Sequence, residues 1–199
     1  MTEDGDEVYE SQHARLLEGL AASIREKGLS QTQVSDIVRR ARASRRTFYN
    51  HFPDKESCFV ELTQQVGMLL LERVDRAIDR AAPLGVQIDQ AIDTYVDMLL
   101  TEPGLTATWA SPALGDRVIV AQREGLERYA RLLLSVVEAD AERDPDVERV
   151  SLPRAYMVIS GVNQAIIRTV ARGEDLTELA HEIKAFMKSV LAAQPAPTR

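Results

Sequence analysis

Apolar side chains recur every three or four residues along almost the whole chain, a period that fits helices. Leu16, Leu17, Leu20 and Ile24 share one face of a helix over 11–27, and Gly28 follows as a stop signal. Val34, Ile37, Val38 and Ala41 repeat the pattern, with Thr32 placed to cap that helix and Asp36 near its positive end. A break at Arg42-Ala43 leads to Ser44, a good cap for a very short helix from Arg45 to about His51. Phe48 and Phe52 lie four apart and can share its inner face. Asp54 caps a longer helix reaching about Ala82, along which Phe59, Leu62, Val66, Leu69, Leu70, Val74 and Ile78 fall near helical spacing.

The pattern continues downstream. A helix is expected over 84–101, then a break over 103–112 with at most a short helix. Ser111-Pro112 suits the start of a helix reaching about Glu142. Asp144-Pro145 begins an acidic connector. Ser151-Leu152-Pro153 opens a helix to about Ala171, closed by Gly173, and Asp175 to Glu178 caps the last helix. The fold class is therefore all-α. In the helix around Tyr156 to Ala171, apolar residues cover most of the circumference, which predicts burial on more than one side. That helix belongs either at the centre of a monomer core or between its own core and a second subunit. Gly161 within it suits a close backbone approach.

Composition narrows the class. The 199 residues are 45% apolar and 28% charged, which is enough apolar material for a packed core. A single cysteine, Cys58, excludes an intramolecular disulfide and suits a reducing compartment, so a cytoplasmic location is expected. No apolar run approaches the ~20 residues of a membrane span, and the acidic N-terminus lacks a signal-peptide layout. The net charge of −7 argues against a protein coated in basic charge. Its distribution says more. Residues 1–10 carry five acids and no base, and are expected to form a disordered acidic arm. Residues 11–56 carry nine bases against five acids, and residues 57–199 carry 15 bases against 21 acids. Arg39, Arg40, Arg42, Arg45 and Arg46 fall within eight residues. Such a run is usually a solvated helix face, but local potential rather than net charge attracts DNA.

The segment 28–56 decides between those readings. Two short helices separated by a tight break make a helix-turn-helix. A helix entering the major groove needs polar donors outward and apolar anchors inward. Arg45, Arg46, Thr47, Tyr49 and Asn50 supply the first, and Phe48 and Phe52 the second. Arginine can bond guanine bidentately, and hydroxyls suit phosphate oxygens. The candidate DNA-facing set is Thr32, Ser44, Arg45, Arg46, Thr47, Tyr49, Asn50, His51 and Lys55.

The stretch GLSQTQVSDIVRRARASRRTFYNHFPDKESC, residues 28–58, resembles the TetR/AcrR family of bacterial transcriptional regulators. The resemblance rests on Gly28, Thr32, Ile37, Ala41, Ser44, Thr47, Phe48, Tyr49, His51, Phe52 and Lys55 taken together. The family usually has glycine at the turn where this chain has Arg42, and valine where it has Ala43. The resemblance implies nine or ten helices, a homodimer built by the last two long helices, and a ligand cavity in the larger domain. Ligand binding would move two DNA-reading heads apart and release a palindromic operator.

The expected domains are thus an arm over 1–10, a DNA-binding head over 11–56, a ligand-binding and dimerisation domain over 57–193, and a frayed tail over 194–199. Dimer candidates are Ile159, Val162, Ile166, Ile183, Phe186, Met187 and Val190. Pocket candidates are Tyr95, Met98, Trp109, Gln122, Tyr129 and Asn163, each of which is also a plausible packing or surface residue. His13, His51 and His181 are far apart in sequence and near no cysteine, so no metal site is expected. Cys58 reads as a buried small hydrophobe. No phosphate loop, nucleophile elbow or catalytic pair is present, so neither enzyme activity nor a cofactor is expected. The function expected is a repressor released by a small molecule. The alternative is a helical carrier or enzyme whose arginines are merely solvated.

Overall fold

The computed structural model describes residues 3–110, 115–145 and 147–191, and every element among them is helical. The order is α1 (Glu3–Gln31), α2 (Val34–Ala41), α3 (Arg45–His51), α4 (Lys55–Ala77), α5 (Leu84–Thr101), α6 (Pro103–Trp109), α7 (Asp116–Arg143), α8 (Leu152–Arg172) and α9 (Leu176–Leu191). The chain divides into two compact units, Met1–Val66 with Glu102–Gln122, and Gly67–Thr101 with Arg123–Arg199.

The first unit is built around α1. Leu16, Leu20 and Ile24 are buried against Ile37 of α2, Phe48 of α3, and Cys58 and Phe59 of α4. A Cβ on Gly19 would lie 2.7 Å from the Ile37 carbonyl oxygen, so glycine permits the close crossing of α1 and α2. Lys27 pairs with Asp36 at 2.6 Å and ties the two helices together. That contact, with the Gln33 N–H, holds the Asp36 carboxyl below its usual range. On its other side α1 packs against α6. There Arg25 grips Glu102 with two bonds of 2.6 and 2.8 Å.

Several expectations change. α1 begins at Glu3, so helix covers most of the stretch expected to be a disordered arm. An acid-rich start suits the positive end of the helix dipole. Gly28 (φ 78) kinks the end of α1, and the Thr32 hydroxyl donates back to the Gly28 carbonyl at 2.8 Å. Thr32 therefore does not cap α2. Gln33 holds that position, and its N–H donates to Asp36 Oδ2 at 2.9 Å. α4 stops at Ala77 rather than near Ala82, where Asp79 Oδ1 accepts the Ala81 N–H at 2.9 Å in a local turn. The segment 103–112 holds the short helix that the sequence allowed there, α6. A division after Glu56 would cut through α4, because the first unit runs on to Val66 and recovers Glu102–Gln122. The expected Ser111-Pro112 cap and the tail from 194 lie outside the described residues.

In the second unit, α9 packs between α5 and α8. Lys184 pairs with Asp93, and Lys188 Nζ donates to Asp89 Oδ2 at 2.7 Å. Arg154 of α8 donates to the Val190 carbonyl at 2.7 Å. Gln87 is buried, and its amide donates to the Ala82 carbonyl at 2.7 Å and to Asp140 at 3.3 Å. Burial of α8 on more than one side is not seen in one protomer. Ala155, Val158, Val162, Ile166 and Thr169 are buried, but Met157 is 66% exposed. Of the dimer candidates, Val162, Ile166, Ile183 and Met187 are buried in the protomer's own core. Ile159 and Val190 are half-buried, and Phe186 is 47% exposed. Helical periodicity cannot say which apolar flank faces the protomer core. Among the described residues no helix is long and apolar enough to cross a membrane.

Candidate nucleic-acid interface

α2 ends at Ala41, and the chain turns through Arg42 in the left-handed region (φ 51, ψ 43). The Ala43 N–H closes the turn onto the Val38 carbonyl at 2.9 Å. Ser44 then caps α3, its Oγ accepting the Thr47 N–H at 2.9 Å and sharing a hydrogen bond with the Thr47 hydroxyl at 2.8 Å. Phe48 of α3 and Phe52, which caps its end, are buried with ring centroids 5.7 Å apart. They anchor the helix to α1 and α4, so its opposite side faces solvent.

That outer side carries Arg45, Arg46, Tyr49 and Asn50, all exposed, with Thr47 half-buried beside them. Neither Arg45 nor Arg46 meets a carboxylate among the described residues. The structure thus brings five of the nine candidate residues together as a polar, cationic face on α3. Ser44, exposed at its start, serves as the cap.

The other three are engaged elsewhere. Thr32 is buried and bonded to Gly28, which removes it from any surface. Lys55 Nζ donates to the carbonyls of Leu29 and Thr32 at 2.9 and 2.8 Å. It fastens the start of α4 to the end of α1, and burial lowers its pKa. His51 is half-buried, with its Nδ1 3.3 Å from His13 Nδ1 and its ring 4.0 Å from that of Tyr9. His13 Nε2 in turn meets Glu61 of α4. Burial, then the neighbouring His13, hold the His51 imidazole below its ordinary pKa, partly offset by Glu61.

The sequence does not announce that Tyr9, His13 and Glu61 gather around His51, because α1 and α4 lie on either side of it in the chain. Their one local signal was Tyr9 and His13 at i, i+4 on α1. Despite this clustering, no group of three or more His, Cys, Asp or Glu among the described residues could hold a metal ion. Cys58 is buried, and burial pushes its thiol up to about 12, which leaves it unreactive.

The pocket candidates separate. Trp109 and Gln122 belong to the first unit, where Trp109 packs against the core around α1. Tyr95, Met98, Tyr129 and Asn163 belong to the second. There the Tyr95 and Tyr129 rings meet edge to face at 5.6 Å, and burial raises both phenols, Tyr95 to about 12. The Tyr129 hydroxyl and the Ser160 Oγ are buried and find no hydrogen-bond partner among the described residues. Met98 and Asn163 are half-buried.

A basic recognition face, held by aromatic anchors behind a capped turn, defines a helix-turn-helix DNA-binding regulator. Residues 16–62 match the family model described as bacterial regulatory proteins, tetR family. The match covers α2, α3 and parts of α1 and α4, so the helix-turn-helix segment is a domain of that kind. Solved structures share its fold. FadR from Bacillus subtilis in complex with stearoyl-CoA matches at 19% identity and a TM-score of 0.73, over 89% of this chain and 98% of that one. FadR from Bacillus halodurans, a fatty acid degradation regulator, matches at 17% identity and 0.74, over 94% and 97%. A TetR-family regulator from Syntrophomonas wolfei matches at 14% and 0.76, over 95% and 99%. No curated protein matches the sequence.

Proposed function

We propose that this regulator is a cytoplasmic homodimeric repressor that binds a palindromic operator and leaves it when a small molecule binds. The observation that carries the DNA-reading role is α3, whose Arg45 and Arg46 are exposed and meet no carboxylate among the described residues. Arg45, Arg46, Thr47, Tyr49 and Asn50 contact the operator. Ser44, His51 and Lys55 hold the helix that presents them. The second unit dimerises and binds ligand, and the protein has no catalytic role.

Exposed Met157 and Phe186 support a dimer face on α8 and α9, because large apolar side chains in water favour a partner. The unpartnered Tyr129 hydroxyl supports a ligand with an apolar body and a hydrogen-bonding group, since a buried orphan is costly. Tyr95, Met98, Tyr129 and Asn163 would line that site. The Bacillus subtilis neighbour holds stearoyl-CoA, so long-chain acyl-CoA is the first ligand class to test.

Fluorescence anisotropy on a duplex selected by the protein from a random library tests the DNA-reading role. Arg45→Ala or Arg46→Ala should each cost about 1–3 kcal/mol of specific binding if it contacts a guanine. Unchanged specific binding in both variants would remove α3 from its assigned role.

A further inference from the structure

Arg42 is the one non-glycine residue with positive φ among the described residues. An L-residue there is disfavoured, and glycine would occupy the same turn without that cost. The turn itself has no need of the side chain. Its closure is made by backbone groups, with the Arg42 N–H reaching the Arg39 carbonyl at 3.4 Å and the Ala43 N–H reaching Val38 at 2.9 Å. Nor does the end of α2 need another cation for its dipole, because Arg39 and Arg40 already sit in its last turn. What arginine adds at this position is an exposed guanidinium.

That guanidinium has company. Arg42 lines an open cleft of about 550 Å³ at the crossing of α1 and α2, together with Arg15, Arg40 and Glu18. Arg40 pairs with Glu26. Arg15 and Arg42 meet no carboxylate among the described residues, so the cleft keeps a cationic surplus. An open cleft of this size with cations from two elements suits an extended polyanion better than a single small ion. Arg42 also stands three residues before Arg45, so their Cα atoms lie within roughly 11 Å of each other. The major groove is about 12 Å wide, with phosphates along both rims. With Arg45 against base edges, a phosphate on a groove rim falls within that distance of Arg42.

We propose that Arg42 and Arg15 form a clamp on the DNA backbone beside the groove read by α3, and that Arg42 holds this place at the expense of backbone strain. This rests on the DNA-reading role of α3. Counterion release makes the clamp measurable, because each neutralised phosphate adds about 0.9 to the slope of log affinity against log salt.

The test uses the full chain, the selected duplex and a random-sequence duplex of equal length. Arg42→Gly should melt at or above the wild-type temperature, yet bind both duplexes several-fold more weakly, with a slope shallower by about 0.9 for each phosphate no longer neutralised. Arg15→Ala, which leaves the turn alone, should lower the slope in the same way. Arg42→Lys should keep it. Wild-type slopes in Arg42→Gly and Arg15→Ala would overturn the clamp while leaving α3 in its role. Weakening confined to the selected duplex would also overturn it, since a phosphate contact carries no sequence information. A wild-type protein that binds neither duplex would instead bring down the DNA-reading role itself.

Discussion

α3 and α8 expose side chains for different reasons. α3 is seven residues long and cannot hold itself together in isolation. It survives because Phe48 and Phe52 are buried and because Ser44 caps it, so its outer residues are free for work. α8 is 21 residues long and firmly placed by five buried residues, yet it leaves a large apolar side chain, Met157, in water. On α3 the exposed residues are polar and match a charged polymer. On α8 the exposed methionine is apolar and belongs to the proposed dimer face. Exposure acquires meaning only from what chemistry is exposed.

The sharpest way to break this contrast is at the anchor of α3. Phe48→Ala should destabilise the first unit by about 3–5 kcal/mol, measured by urea unfolding, because it empties a fully buried ring site. Tyr49→Ala, the next residue along but half exposed, should change stability by no more than about 0.5 kcal/mol while weakening DNA binding. Equal stability losses in the two variants would mean that α3 is not seated as described.

On α8, Met157→Asp should leave the protomer folded and cost about 2 kcal/mol or more of dimerisation, read by sedimentation across a dilution series. An unchanged dimer would move the interface off this part of α8. A smaller effect is expected at Tyr129. Tyr129→Phe removes a buried hydroxyl that has no partner among the described residues, so the ligand-free protein should gain on the order of 1 kcal/mol. The same change should reduce the melting shift produced by a bound ligand. A loss of stability in the ligand-free protein would show that the hydroxyl has a partner after all.

The smallest effect concerns pH. The fold favours neutral His51, holding it below the ordinary 6.5. Its stabilising contribution is therefore complete above pH 6.5 and is lost as pH falls toward and through the lowered folded value. His51→Gln should flatten the stability profile below pH 6.5. An identical profile in both proteins would show that His51 is not the titrating group.

Much of the head is legible in the sequence. The caps at Ser44 and Asp54 and the anchors Phe48 and Phe52 all lie within a few residues of what they act on. Ser44 Oγ reaches Thr47, and Asp54 Oδ1 reaches the Ser57 N–H at 2.7 Å. Thr32 and Lys55 are misplaced by sequence reasoning for a related cause. Their types suit DNA, but their partners are backbone carbonyls presented by a kink at Gly28, and no spacing rule announces which carbonyls a kink turns outward.

By itself, the sequence determined the helical period, the capped turn and the cationic face of α3, because each depends on residues within about one helical turn of one another. Only the tertiary structure decided which face of α8 is spare, that His13 and His51 meet 38 residues apart, and that Arg42 shares a cleft with Arg15. Those outcomes depend on how separate helices cross. A crossing such as that of α1 and α2 at Gly19 is set by close packing over many side chains at once, which a local pattern does not encode.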